Sequence, residues 1–425
     1  MSMTAGLKPE DVFTPRAAAV NLKTYISRPD LEKALGMALR VPKHIVIHGE
    51  SGTGKTWLYK KVLGDLDYQF EVANMGLCAS LGSIAEVLRT GICREVTAEI
   101  SSARGLDGGV PAIAKLAYTQ TETKQHFFDP LLAALTAIRT RAREKPACLI
   151  FDNLEQVIQR PELVQELAGY LLLVDDDRYA NAEVKIMLVG TSNEVRAFIS
   201  QIRGSGPVVN RLTEIPEVSR LTVLQAFEFA KNGFFELLGC ELDTEDGDEK
   251  EKFLSQISYH SDRIPLHIQD LCFYVACAAQ DSNWIITTEN FLTSIKDWIK
   301  SSLVADVARV QHNLNSIATK IGRRNQVLFS LGQIHKYDFN AADVETALKR
   351  LFPTSANGVA LNTAQLLSDL ATSAHPLIRR NPNSTYYRFL DPKYRIVVRW
   401  LLVKGETEEI RLRDFDNALS LWNEN

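Results

Sequence analysis

Short apolar runs alternate with helical stretches in the first half of the chain. The runs that predict buried strands lie at residues 44–48, 68–73, 147–151 and 184–189. Apolar positions at helical spacing predict helices at 31–39, 57–63, 128–143 and 162–174. Because strands that alternate with helices pair in parallel, this half predicts an α/β domain whose parallel sheet is covered by helices on both faces.

In the second half of the chain the periodicity is helical over a long stretch. From about residue 220 to 302 it indicates an all-α domain, with a charged loop predicted at 243–252. Helices predicted at 341–351 and 361–372 precede the apolar, aromatic run 386–390, an order typical of winged-helix domains. Residues 1–22 lack clear periodicity and predict an irregular lead-in that wraps the next domain. The predicted divisions are therefore the lead-in at 1–22, the α/β domain at 23–218, the all-α domain at 219–305 and the winged-helix-like domain at 306–425.

Composition and charge narrow the class of protein. The chain has 425 residues, of which 45% are hydrophobic and 24% charged, as in a soluble globular protein of two or three domains. Its formal charge of −4 argues against binding nucleic acid over the whole surface but is compatible with a local basic patch. Six scattered cysteines without a CxxC pair predict core thiols in a reducing interior. No basic start is followed by an apolar run, and no apolar stretch is long enough to span a bilayer, so we expect a cytoplasmic protein without membrane contact.

A glycine-rich segment that fits GxxxxGK[ST] follows the first predicted strand directly. Its residues are Gly49, Glu50, Ser51, Gly52, Thr53, Gly54, Lys55 and Thr56, and Trp57 comes next in the predicted helix. An accidental match in a chain of this composition has a probability on the order of one in a hundred. Glycines let successive backbone N–H groups turn inward around phosphates, and the helix N-terminus adds partial positive charge. We expect Lys55 to reach the β- and γ-phosphates and the Thr56 hydroxyl to hold Mg²⁺, so the segment predicts binding of Mg·ATP.

A phosphate loop of this kind needs an acidic residue on the metal side, at the end of a neighbouring strand. The apolar run 148–151 ends in Asp152, which is the candidate Mg²⁺ partner, with a strand-end helix cap as the alternative. Asn153 stands where many nucleotide-hydrolysing proteins with such a phosphate loop carry glutamate. Glu155 is a candidate base in its place or a solvated helix residue, so we expect slow hydrolysis or an unusual base.

A polar residue also follows the strand predicted at 184–189. Asn193 comes soon after this strand and is the candidate for orienting the attacking water and reporting hydrolysis. The alternative is an N-cap for a helix predicted at 194–202, and one side chain can serve both roles.

The order and spacing of these features resemble AAA+ ATPases, in the branch that links replication-origin initiators with the signalling STAND ATPases. The resemblance spans residues 13 to 402. Residues 25–32, Tyr-Ile-Ser-Arg-Pro-Asp-Leu-Glu, resemble the family's element ahead of the phosphate loop, with Ser27 where glycine is usual. The resemblance implies that Arg28 contributes to nucleotide binding.

Four more candidate site residues follow from the resemblance. Arg211 occupies the place of the trans-acting arginine that completes a neighbouring subunit's ATP site, which implies a homo-oligomer. Read from the residues alone, Arg211 is an arginine before a short strand-like run. Pro265 lies in a segment that resembles the Gly-x-Pro element of STAND proteins, whose proline packs near the nucleotide. Arg263 stands at the glycine position of that element and is a candidate substitute for the missing sensor arginine, and His267 is another phosphate-facing candidate.

The C-terminal part resembles winged-helix domains attached to STAND-like ATPases. Residues 311–400 carry four Lys and eight Arg against four Asp and one Glu, a net charge of +7. This asymmetry predicts a DNA-facing surface within residues 311–400, with a solvated or domain-docking face as the alternative. The predicted helices at 341–351 and 361–372 are too poor in basic residues to read a major groove. The candidate backbone contacts are Arg379, Arg380, Lys393, Arg395 and Arg399.

The leading functional hypothesis is an ATP-dependent oligomerising switch that engages DNA or a protein partner. The alternatives are a DNA-loading or target-selection ATPase of replication or transposition, and a scaffold with structural nucleotide. No nuclease, protease, TIR or deaminase signature accompanies the ATPase features, so any effector is a separate protein. Family analogy makes antiviral defence one plausible setting.

Overall fold

The computed structural model describes residues 6–93, 129–192, 195, 197–199, 207–243, 247–315, 322–382 and 384–413. The chain divides into two compact units. The α/β unit comprises Ser27–Glu50 and Gly54–Ser219, and the helical unit comprises Met1–Ile26, Ser51–Thr53 and Arg220–Asn425.

The α/β unit is built on a five-stranded sheet in the order β2-β3-β4-β1-β5, and every neighbouring pair is parallel. Its strands are β1 (His44–His48), β2 (Gln69–Asn74), β3 (Ala147–Asp152), β4 (Val184–Gly190) and β5 (Leu212–Glu214). Helix α1 (Pro9–Val12) lies in the helical unit. The helices of the α/β unit are α2 (Pro29–Arg40), α3 (Lys55–Asp65), α4 (Cys78–Leu81), α5 (Ile84–Gly91), α6 (Pro130–Ala142), α7 (Glu155–Ile158), α8 (Pro161–Leu173), α9 (Asp177–Ala180) and α10 (Pro207–Asn210).

Alternation along the strands explains why this sheet is buried on both faces. On β1, Ile45 and Ile47 join one apolar core, whereas Val46 belongs to a second core on the other side. Successive strand residues point to opposite faces, so a continuous run of β-branched residues fills both cores. Each fully buried Val, Leu or Ile contributes about 1.5–3 kcal/mol relative to exposure. The predicted parallel sheet covered by helices is confirmed.

The helical unit holds the remaining elements. Its helices are α1 (Pro9–Val12), α11 (Val223–Lys231), α12 (Gly247–His260), α13 (Pro265–Asp281), α14 (Thr288–Ser302), α15 (Val304–His312), α16 (Arg323–Gln333), α17 (Ala341–Leu351), α18 (Pro353–Ala356), α19 (Thr363–Thr372) and α20 (Pro392–Leu401). Its strands are β6 (Glu241–Leu242), β7 (Ile285–Ile286), β8 (Ile378–Arg380), β9 (Tyr387–Phe389), β10 (Leu402–Lys404) and β11 (Ile410–Leu412).

Two details of this unit correct the sequence prediction. The predicted loop at 243–252 is helical from Gly247, because its charged residues form the exposed first turns of α12 and acidic groups near a helix N-terminus are favourable. The stretch 220–302 is also not entirely helical, since β6 and β7 form a short parallel pair. The prediction was wrong where charged residues were read as a loop rather than as a solvated helix face.

The N-terminal lead-in belongs to the helical unit and not to the domain that follows it in sequence. The Phe13 ring is fully buried and lies 4.9 Å from the Phe234 ring and 5.7 Å from that of Phe229, centroid to centroid. A Cβ on Gly233 would come within 2.4 Å of the Phe13 ring, so only glycine fits there. The expectation that this segment wraps the next domain is wrong, because its aromatic anchor fits a pocket of the helical core.

The C-terminal end of the helical unit places three helices before a β-hairpin. Helices α16, α17 and α19 precede the antiparallel pair β8–β9, and Phe339 forms an isolated antiparallel bridge with Tyr387. This is the element order on which the winged-helix prediction rests, and the winged-helix assignment stays a prediction.

Asp262 forms the centre of a buried charge cluster in the helical unit. Its carboxylate lies 2.8 Å from Arg220 Nη1, 3.0 Å from Arg399 Nη2 and 3.3 Å from Arg395 Nη1. Burial by itself raises the pKa of this carboxyl, but the arginines outweigh it and lower the pKa to about 2. Arg395 and Arg399 are only 3% and 6% exposed, so they are not available for DNA. The prediction that these two arginines contact the DNA backbone is therefore wrong.

The six cysteines are free, and five of them are buried, as expected for core thiols. In the part of the chain that the structure describes, no helix has the length and apolar character needed to cross a membrane.

Candidate nucleotide-binding site

The glycine-rich loop lies between the end of β1 and the start of α3. Gly52 and Gly54 have φ angles of 75° and 89°, in the left-handed region that favours glycine, and Gly54 caps α3. The Lys55 ammonium donates hydrogen bonds to the carbonyl oxygens of Gly49 at 2.9 Å and Glu50 at 3.0 Å. The loop therefore curls back over the lysine, with the helix N-terminus directed at the same place.

Within the helical unit, the loop tip Ser51–Thr53 contacts the turn that begins α13. The Leu266 amide donates a hydrogen bond to the Gly52 carbonyl at 3.1 Å. A Cβ on Gly52 would lie 3.1 Å from Ile264 and from Leu266, so a larger residue would be crowded here as well as strained by the positive φ. Pro265 is the first residue of α13, which places this element next to the loop tip. His267 is 3% exposed, and burial, more than the nearby Lys393, lowers its pKa to about 3, so it is an uncharged core residue at neutral pH.

The acidic residue at the end of β3 lies beside the first turn of α3. Asp152 Oδ2 is 3.5 Å from the Thr56 hydroxyl oxygen and accepts a hydrogen bond from the Tyr59 hydroxyl at 3.2 Å. Carboxylate and hydroxyl oxygens are ligands that Mg²⁺ takes together with phosphate oxygens and water. Among the described residues, no group of three or more His, Cys, Asp or Glu side chains could hold a metal ion.

Tyr59 was missed in the sequence analysis. Thr56 and Tyr59 are three residues apart on α3 and so share the helix face that meets Asp152. Burial and then the Asp152 charge raise the pKa of the Tyr59 phenol, which stays protonated and donates to the carboxylate. Its helical spacing from Thr56 was the available signal.

The residues after Asp152 differ in their surroundings. Asn153 has a φ of 62°, and its side-chain amide donates to the Asn74 side-chain oxygen at 2.8 Å. Glu155 begins α7, and one of its carboxylate oxygens is buried without a hydrogen-bond partner among the described residues. A buried acceptor without a partner costs about 1–3 kcal/mol, which is a reason to look for a role for Glu155.

Asn193 lies outside the described residues, but its neighbour Ser192 is part of a network that the sequence analysis did not foresee. The Ser192 hydroxyl lies 2.7 Å from Glu217 Oε1 and 3.1 Å from His48 Nδ1. His48 Nε2 lies 2.7 Å from Glu214 Oε1. The signal for this network was a polar residue at the end of β1, His48, and another just beyond β4, Ser192.

Arg28 lies ahead of α2 and is held by two contacts. Its backbone N–H donates to Glu32 Oε1 at 2.7 Å, and its Nη1 donates to the Ser219 carbonyl at 3.0 Å. Both contacts lie in the α/β unit, where they fix the start of α2.

Arg211 lies at the amino end of the strands, whereas the phosphate loop follows the carboxyl end of β1. It precedes β5, and its carbonyl accepts a hydrogen bond from the His44 amide at 2.8 Å, at the amino end of β1. The phosphate loop follows the other end of β1, about 13 Å away along the strand. Arg211 pairs with Asp175 and lines a cavity of about 840 Å³ at this end. It therefore cannot reach the phosphate loop of its own subunit.

A glycine-rich loop between the first strand and its helix, with an acidic residue at the tip of β3, in a parallel sheet covered on both faces, defines the P-loop nucleoside triphosphatase fold. Residues 39–199 match the family model of the AAA domain. This part of the chain is therefore an AAA domain.

One solved structure supports the fold, and two others are similar at lower TM-scores. The Walker-type ATPase PABY2304 of Pyrococcus abyssi is 14% identical with a TM-score of 0.51, over 88% of this chain and 96% of that one. Cdc6p from Pyrobaculum aerophilum is 14% identical over 91% of this chain and 96% of its own, with a TM-score of 0.43. The Aeropyrum pernix ORC1 protein in complex with DNA is 14% identical over 92% and 96%, with a TM-score of 0.44. No curated protein sequence matches the chain. At these identities, the first structure shows the fold alone.

Proposed function

We propose that the protein is an ATP-binding, slowly hydrolysing AAA+ ATPase of the origin-initiator and STAND-like branch, which acts as a nucleotide-dependent oligomerising switch. The observation that carries this proposal is the arrangement of Lys55, Thr56 and Asp152 at one end of the parallel sheet. The lid at 219–305 and the winged helix at 306–425 are parts of the same proposal.

ATP is the proposed ligand of the loop from Gly49 to Thr56. Lys55 holds two carbonyl oxygens of the loop, and a triphosphate offers stronger, charged acceptors in their place. The loop amides and the N-terminus of α3 add to the attraction for phosphate. Trp57, Arg28 and Pro265 complete the proposed nucleotide contacts.

Mg²⁺ is the proposed metal. Thr56 would supply a hydroxyl oxygen and Asp152 a carboxylate oxygen, and phosphates and water would fill the remaining positions of an octahedral ion. When bound, the ion neutralises charge on the β- and γ-phosphates. Tyr59, which donates to Asp152, orients the carboxylate toward Thr56.

Slow turnover follows from the residues after Asp152. Asn153 cannot accept a proton as a glutamate would, and its amide already donates to Asn74. Glu155 is the proposed base, since its buried carboxylate oxygen has no partner among the described residues. Asn193 is proposed to orient the attacking water.

The switch is proposed to work between copies of the chain. Because Arg211 lies at the amino end of the strands, away from the phosphate loop, it is proposed to act on the ATP of a neighbouring subunit. There an arginine stabilises charge in the transition state. ATP that binds the assembled state more tightly than the free subunit shifts the population toward the assembly.

The partner of the switch is proposed to be DNA or a separate effector protein. Within residues 311–400, Arg380 is exposed and Arg379 half-buried at the β8–β9 hairpin, so these two are the proposed phosphate contacts. Arg395 and Arg399 are excluded from this role by burial.

The first experiment measures ATP binding by calorimetry with millimolar magnesium for the wild type, Lys55→Ala and Lys60→Ala. We expect Lys55→Ala to lose measurable binding, since the ammonium is the only side-chain cation that the phosphate-loop motif supplies. Lys60→Ala, on the same helix, removes the same charge outside the loop and should bind like the wild type. Equal binding by all three proteins would overturn the proposal.

The second experiment measures assembly mass and ATP hydrolysis together for the wild type and Arg211→Ala. We expect Arg211→Ala to bind ATP normally but to hydrolyse it at least tenfold more slowly in the assembled state. Wild-type hydrolysis and assembly by this variant would remove Arg211 from the mechanism while leaving nucleotide binding in place.

A further inference from the structure

Strand β1 has a histidine at each end, and the two have different hydrogen-bond partners. His44, at the amino end, accepts a hydrogen bond on Nδ1 from the Ile186 amide at 3.1 Å. Its ring therefore carries its proton on Nε2 and is neutral. Burial is the main cause that lowers the pKa of His44, to about 4, which agrees with this assignment.

His48, at the carboxyl end, faces an acceptor on each side. The Ser192 hydroxyl has one proton, and with Glu217 ionised that proton must lie in the 2.7 Å contact between them, since a carboxylate only accepts. The serine oxygen is then left to accept from His48 Nδ1 at 3.1 Å. The other nitrogen, Nε2, faces the Glu214 carboxylate at 2.7 Å and must donate as well. If both nitrogens donate, the ring is an imidazolium.

The position of this ring connects it with the phosphate loop. His48 is the residue before Gly49, and its backbone carbonyl accepts a hydrogen bond from the Val218 amide at 2.8 Å. Its neighbour across the sheet is Gly190, at the end of β4. The ring therefore contacts Ser192 after β4 and Glu214 at the end of β5. These contacts lie at the carboxyl end of β1, where the phosphate loop begins.

We propose that His48 is a positioning residue for the phosphate loop, in which a doubly protonated ring held by Glu214 and Ser192 fixes the direction of the chain into Gly49. The inference rests on the proposed function, because it concerns the geometry of the same nucleotide site. A neutral ring could donate to only one of its two partners, so the second contact depends on the extra proton. Hydrogen bonds that involve a charged group are roughly twice as strong as neutral ones, and two of them on opposite sides of the buried ring fix its orientation.

The spectroscopic test records nitrogen-15 histidine spectra of the full-length protein at pH 7.5. We expect both His48 nitrogens to give protonated, coupled signals, while His44 serves as an internal neutral reference with one unprotonated nitrogen. His48→Gln assigns the signals, and Glu214→Gln and Glu217→Gln should each return His48 to a neutral form. An unprotonated nitrogen on wild-type His48 would overturn the inference, as would a ring unaffected by both glutamine variants.

The functional test measures Mg·ATP affinity for His48→Gln, Ser192→Ala and His44→Gln. We expect His48→Gln to weaken binding about tenfold and Ser192→Ala several-fold, because the start of the loop is no longer fixed. His44→Gln changes the same residue type on the same strand and should stay within twofold of the wild type. Wild-type affinity in both His48→Gln and Ser192→Ala would contradict the inference. If His48→Gln does not fold, Ser192→Ala decides.

The two proposals can fail separately. If Lys55→Ala binds ATP like the wild type, the proposed nucleotide site is wrong, and the spectra still report the charge of His48. If Lys55→Ala loses ATP but the His48 and Ser192 variants do not, the nucleotide site stands and the positioning role of His48 is wrong.

Discussion

The Asp262 cluster and the phosphate-loop site both bring cationic side chains together with oxygen acceptors, but they use their charges differently. Asp262 is 3% exposed and meets three guanidinium groups. Arg395 and Arg399 also donate to the carbonyls of Lys336 and Gly332, at 2.9 and 2.6 Å. In the phosphate loop, the Lys55 ammonium donates to the main-chain carbonyls of Gly49 and Glu50.

The difference shows what separates a structural charge from a binding charge. A buried carboxylate that holds three guanidinium groups cannot exchange partners without leaving charge unpaired, which is costly. Main-chain carbonyls of a loop are weaker partners, and an incoming phosphate can replace them at little cost. Cationic side chains therefore stabilise the fold in one unit and are suited to a ligand in the other.

The largest expected effect is on Asp262. We expect Asp262→Asn to lower the free energy of unfolding by about 3–5 kcal/mol, because buried arginines would be left without their counter-charge. Asp175→Asn breaks a partly exposed pair with Arg211 and should cost no more than about 1 kcal/mol. Urea denaturation of both variants checks the comparison, which would fail if the two losses were equal.

The second largest expected effect is a loss of stability of the helical unit at acidic pH. Burial lowers the pKa of His260 and of His267 to about 3, so both stay neutral in the folded chain while unfolded histidine, near 6.5, takes up a proton. The unfolded state binds more protons below pH 6.5, so stability falls as pH falls, by roughly 2 kcal/mol per histidine at pH 5.

Melting temperatures from pH 7 to pH 5 test this expectation, and His260→Gln should flatten the curve relative to the wild type. Asp262 stays ionised through this window and contributes no slope, since the arginines hold its pKa near 2, below the ordinary 3.8. Its contribution is lost only as pH falls from about 4 through about 2. A curve that stays flat to pH 5 in the wild type would contradict the neutral, buried state of both histidines.

The smallest expected effect is on DNA affinity at the β8–β9 hairpin. We expect Arg380→Ala to weaken binding to duplex DNA a few-fold and to reduce the salt slope by about 1, as for the loss of one phosphate contact. Lys349→Ala removes an equal charge from α17 and should leave the slope unchanged. Fluorescence anisotropy at several salt concentrations measures the DNA affinity and its salt slope for both variants. An unchanged slope for Arg380→Ala would contradict a DNA contact at the hairpin.

The sequence was sufficient for the sheet and the loop because both depend on local patterns. The short apolar runs predicted β1, β3 and β4 to within a residue or so, and the GxxxxGK[ST] motif predicted the position of the loop. The domain boundaries and the roles of Arg211, Glu155 and Asn193 stay predictions.

What could not be predicted depends on partners distant in sequence. Arg395 was expected on a DNA-facing surface but is paired with Asp262, 133 residues away in the chain. The contact of His48 with Ser192 joins residues 144 positions apart and requires β1 and β4 to pair in the observed register. A local pattern contains neither the register nor the partner, so burial of a charged residue could not be inferred from it.

The fit of Phe13 against Gly233 has a practical consequence for dissecting the molecule. A fragment cut to begin near Ser27, where the α/β unit starts, would take the aromatic plug out of the other unit and leave Phe229 and Phe234 facing an opening. Anyone who wishes to study the C-terminal portion by itself would need to supply the first two dozen residues as a separate peptide or through a linker.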